Sequence, residues 1–114
     1  MQIQRSPGGS LFPYYYKNGE LFCLHFGGYF SDEEKLIAIM KAEETFFLPG
    51  HHALGIWIDF YDTKLTDRVV EALIEMLKQI RPKTTRLGIV GCSLMARWKI
   101  NRWVQKRMHF YPCR

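Results

Sequence analysis

The sequence predicts an α/β domain of order ββαβαβα, a four-stranded mixed sheet with its helices mainly on one face. Three observations carry this: an Asn-Gly turn between two strand-forming runs, strand-like and helix-like apolar spacing alternating after it, and connections between the later strands too long for hairpins. Length and composition agree. A chain of 114 residues, 47% hydrophobic and 15% aromatic, suits one domain and excludes intrinsic disorder. No apolar run approaches the ~18 residues of a spanning helix, and the opening MQIQRSPGGS lacks a signal peptide's apolar stretch, so a soluble cytoplasmic protein is expected.

Taken in order, residues 1–10 carry Pro7, Gly8, Gly9 and Ser10 and read as a flexible leader to a single domain over 11–114. In LFPYYYKNGELFCLHF, Asn18-Gly19 is the pair expected of a two-residue type I′ hairpin, joining strand one near 12–17 to strand two near 20–27. Pro13 cannot donate to a ladder and marks strand one as an edge. Ser31-Asp32-Glu33-Glu34 has the form of a capping box, which starts helix one at Asp32; Leu36, Ile37, Ile39, Met40, Phe46 and Phe47 supply its apolar side and Pro49-Gly50 stops it. Strand three lies in 51–60, where Leu54, Ile56, Ile58 and Phe60 alternate with Gly55, Trp57 and Asp59. Helix two opens at Thr66-Asp67, buries Val69, Val70, Leu73, Ile74 and Leu77, and closes at Lys78, Arg81 and Pro82. Residues 86–91 form strand four, and helix three runs from Ser93 or Leu94 to about Met108. Right-handed crossovers advancing one way place all three helices on one face. The other face would then leave Trp57 uncovered, and burial of Trp57 in a homodimer is expected.

Charge is divided along the chain. Residues 1–75 hold 6 Lys+Arg and 11 Asp+Glu, whereas residues 76–114 hold 10 Lys+Arg and no acid. That asymmetry suits an acidic partner or a self-complementary contact, beside the plainer alternative of a solvated basic helix. The cysteines Cys23, Cys92 and Cys113 are odd in number and lack metal-ligand spacing, which favours reduced thiols.

An opening hairpin, a helix, a central strand ending in Asp59, a short loop, a capped helix, a strand and a last amphipathic helix together resemble the STAS fold of anti-sigma factor antagonists and sulfate-transporter tails, over about residues 11–108. That family carries a strand-end aspartate and then Asp-Ser-Ser-Gly at the next helix, one serine being phosphorylated by a partner kinase. Here Asp59 matches the strand-end aspartate and Asp67 the second one. Arg68-Val69 stand in place of the serines, so the resemblance implies Thr66 or Thr63 as the phosphoacceptor. A helix N-terminus suits an added phosphate, while a threonine there equally serves as an N-cap.

Other candidates carry chemistry of different kinds. Cys92, at the junction of strand four and helix three, could be a reactive thiol, or a small buried cysteine. His51 and His52 point to opposite faces of an extended segment and do not share a metal; His25 falls with Cys23 on the uncovered face. Asp59, Asp62 and Asp67 form an acidic group at the carboxyl end of the sheet, either a hard-cation site or loop and cap acids. In helix three Arg97, Lys99, Arg102 and Lys106 alternate with Trp98 and Trp103, as in nucleic-acid and membrane-surface helices. The expected function is therefore a non-enzymatic STAS-like regulatory or scaffolding module that binds a protein partner as a homodimer, with no cofactor and no metal. The alternative is polyanion binding, to nucleic acid or an anionic membrane, through the basic helix.

Overall fold

The computed structural model describes residues 3–16, 19–50, 55–104 and 109–111. In chain order these form β1 (Gln4–Arg5), β2 (Leu11–Phe12), β3 (Tyr15–Tyr16), β4 (Gly19–His25), α1 (Glu33–Phe47), β5 (Gly55–Asp59), α2 (Asp67–Ile80), a 3-10 turn (Arg81–Lys83), β6 (Arg86–Val90), α3 (Leu94–Val104) and β7 (His109–Tyr111). The main sheet has five strands in the order β3-β4-β5-β6-β7, not four, and β1-β2 make a separate antiparallel pair. Only β3 runs antiparallel in the main sheet; β4, β5, β6 and β7 are mutually parallel, as the long crossovers require.

Three expectations are corrected by the strands. The fifth strand is β7, whose His109, Phe110 and Tyr111 pair with Arg86, Leu87 and Gly88; three residues after a helix are too few to show a strand period. The leader takes part in the fold, because Gln4 and Arg5 pair with Phe12 and Leu11 and both Ser6 and Ser10 are buried. The expected first strand is divided at Pro13, which lacks the amide needed to continue a ladder, so Phe12 pairs backward with β1 and Tyr15–Tyr16 forward with β4. Tyr16 lies opposite Gly19, whereas an Asn18-Gly19 turn would set it opposite Leu21, two residues further on; Asn18 of the predicted turn lies outside the described residues.

The helices follow from caps and stripes. In α1 the cap is Asp32 rather than Ser31: its carboxylate accepts from the Lys35 amide at 3.1 Å. Leu36, Met40, Glu43 and Phe47 make its buried stripe, three or four residues apart. In α2, Thr66 accepts from the Val69 amide and Val69, Val70, Leu73, Met76, Leu77 and Ile80 are buried. In α3, Ser93 accepts from the Ala96 amide at 3.3 Å, and Ala96 and Ile100 turn inward. These side chains join one cluster with Phe22, Leu24, Ile56, Ile58, Leu87 and Ile89 of the strands, so all three helices cover the same side of the sheet. Phe12, Phe22 and Phe47 form its aromatic end, with Phe22 and Phe47 stacked at 4.9 Å. Among the described residues no helix is long and apolar enough to cross a membrane.

Candidate functional site: the open face of the sheet

Alternation that sends Phe22, Ile56 and Leu87 into the core sends their neighbours to the opposite side. The parallel register then aligns Leu21 with Gly55 and Arg86, Cys23 with Trp57 and Gly88, and His25 with Asp59 and Val90. The middle row decides the shape. A Cβ added at Gly88 would lie 2.5 Å from Cε3 of Trp57, so the indole rests directly on the glycine backbone. The ring remains 41% exposed, and with Tyr14, Leu21, Cys23, Gly55 and Arg86 it lines a shallow groove of about 510 Å³. A glycine inside a strand is a sequence signal of close approach, but it does not name the group that approaches. Burial and the nearby Asp59 carboxylate push the Cys23 thiol upward from its ordinary value, which keeps it a neutral lining group.

At the carboxyl end of this face His25 Nδ1 stands 2.7 Å from Asp59 Oδ2. The pairing follows from the register, which puts the two residues directly opposite, and sequence spacing alone contains no sign of it. Protonated, His25 forms a charge-assisted hydrogen bond; neutral, it donates from Nδ1 and leaves Nε2 as a base.

The three predicted acids do not converge. Asp59 is engaged by His25, the exposed Asp62 sits in a left-handed conformation at φ 55°, and Asp67 contacts the Lys99 ammonium. Among the described residues no group of three His, Cys, Asp or Glu side chains is arranged to hold a metal ion. Thr63 has its hydroxyl in a loop latch, donating to the Phe26 carbonyl at 2.7 Å and accepting from the Tyr29 amide at 3.1 Å. Thr66 caps α2 through its hydroxyl at 3.3 Å from the Val69 amide. Cys92 is disulfide-bonded, which corrects the expectation of reduced thiols there and removes it as a nucleophile; Cys23 is free. On α3, Trp98 is exposed and Arg102 lies over its ring at 5.0 Å. His51, His52, Lys106 and Cys113 lie outside the described residues, as do 105–108 at the expected end of helix three, and nothing is described of the Trp103 side chain.

Glu43 is the buried group that sequence periodicity missed. It is 1% exposed in the inner stripe of α1, where it accepts from Gly8 N at 2.9 Å and lies 3.1 Å from Ser6 Oγ. Burial pushes its carboxyl above the usual range, and the two hydrogen bonds oppose that. It ties the first ten residues to α1, and Ser10 adds a hydrogen bond to the Cys23 carbonyl. A mixed-charge cleft of about 610 Å³ between α1 and α2, lined by Lys41, Glu44, Arg68 and Glu75, lies away from the open face.

No protein-family model, no curated protein and no solved structure matches the chain.

Proposed function

We propose that this chain is a non-enzymatic, STAS-like regulatory or scaffolding module that binds a protein partner, and a second copy of itself, through the open face of its sheet. The observation that carries it is Trp57 packed closely against Gly88 and still 41% exposed, beside Tyr14 at 42%. Aromatic side chains on a firm floor, partly desolvated and ringed by polar groups such as Arg86, His25 and Asp59, have the make-up of an interface centre. The floor is firm because the central strands are paired on both sides. Regulation in this scheme falls to the carboxyl end of the sheet, where Thr66 and Thr63 are the candidate phosphoacceptors and Asp59 and Asp67 match the family's aspartates.

Sedimentation equilibrium of the wild type and Trp57→Ala tests the self-association. A wild-type dimer at micromolar concentration, weakened at least about tenfold by the loss of a well-packed indole, is the expected outcome. A monomeric wild type removes the homodimer, and a dimer indifferent to Trp57→Ala moves it off this face.

A further inference from the structure

Helix α3 is apolar on two opposite sides. Ala96 and Ile100 face the core, whereas Leu94, Met95 and Trp98 are 79%, 70% and 56% exposed. At about 100° per residue the outward direction opposite Ala96 and Ile100 falls on Trp98, with Leu94 and Met95 roughly 40° and 60° to either side. The core therefore gains nothing from these three side chains. Cations border the ridge: Arg102 stacks over Trp98, Arg97 stands on one flank and Lys99 on the other. Two acids lie nearby on α2, Asp67 and Glu71, across the groove they share with Trp98, Lys99 and Arg102; Asp67 engages Lys99. Helix α3 itself contains no acidic residue, and neither does any position after Glu75.

We infer that the outer side of α3 is a docking surface for an anionic membrane, with Leu94, Met95 and Trp98 entering the headgroup and acyl boundary and Arg97 and Arg102 meeting lipid phosphates. Charge complementarity selects an anionic surface, and the apolar ridge selects a lipid one. Leucine and methionine at the centre of the contact gain free energy only where an apolar phase receives them. Nucleic acid offers phosphates and no such phase. Trp98 has the residue type that settles at a lipid–water boundary. This surface lies on the helical side of the sheet, so it works independently of the groove around Trp57.

The test is co-flotation of the whole chain with vesicles of phosphatidylcholine alone and of phosphatidylcholine mixed with phosphatidylserine. Two double variants, Leu94→Ser with Trp98→Ser and Arg97→Gln with Arg102→Gln, change exposed or half-exposed positions; thermal melts confirm that both fold. Wild type is expected to float with the mixed vesicles only. The charge variant should bind about 25-fold more weakly, roughly fivefold per cation lost, and the ridge variant at least about tenfold more weakly. Three results overturn the inference: no flotation of wild type with mixed vesicles, flotation that survives loss of Leu94 and Trp98, and equal binding to duplex DNA that the ridge variant does not reduce. Wild type that stays off vesicles but dissociates as an oligomer when the ridge is changed would assign the ridge to a second copy instead.

Discussion

Replacing Thr66 separates a helix cap from a phosphoswitch. Its backbone is extended, at φ −75° and ψ 166°, and its side-chain oxygen accepts from the Val69 amide at 3.3 Å while its carbonyl accepts from Val70 at 2.9 Å. Thr66→Ala leaves the second bond and removes the first, exposing one first-turn amide to partial desolvation beside the fully buried Val69. Caps of this kind contribute about 0.5–2 kcal/mol; the long bond places this one near 1 kcal/mol. A chain of 114 residues unfolds with an entropy near 0.24 kcal/mol/K, so the expected fall in Tm is about 4 °C. Thr66→Ser and Thr66→Asp keep an acceptor, and the aspartate also favours the positive end of the helix; both should stay within about 0.5 kcal/mol of wild type. Differential scanning calorimetry of the three variants gives the comparison. If Thr66→Ala melts with wild type, the capping account is refuted. A Thr66→Asp protein with unchanged Tm but altered self-association would instead favour the switch.

Three further outcomes are expected. Gly88→Ala should cost about 1–3 kcal/mol by driving the Trp57 ring from its seat, and adding Trp57→Ala should recover part of the loss; a strictly additive double-mutant cycle would deny the contact. Because the folded state raises the Glu43 carboxyl, its favourable contribution is complete below the unfolded pKa and is lost as pH rises through the folded one. Wild type should therefore gain stability relative to Glu43→Gln on acidification, and a pH-independent difference in urea melts would contradict the burial effect. Thr63→Val keeps the side-chain volume but loses the bonds to Phe26 and Tyr29, for a cost of roughly 1–3 kcal/mol and faster amide exchange at Tyr29; an unchanged Tm and exchange rate would show that the latch is dispensable.

Local pattern was sufficient wherever a segment's partners did not matter. The cap at Thr66, the stripe of α2 and the alternation around Trp57 are periodic or short-range features, because a backbone's own hydrogen bonds and apolar spacing set them. The uncovered position of Trp57 followed from crossover handedness alone. What lay beyond reach depends on which chain segment is opposite. Only strand register puts His25 against Asp59 and seats the indole on Gly88. Only packing turns Leu94 and Trp98 outward while Ile100 turns in, since the stripe of α3 is divided between two sides. Glu43 is the sharpest case: a carboxylate in a helical stripe reads as solvent-facing until residues 6–8, thirty-five or more positions away, arrive with a hydroxyl and an amide to receive it. Such choices are non-local by nature, for the cost of burying a charge is set by groups the sequence does not place nearby.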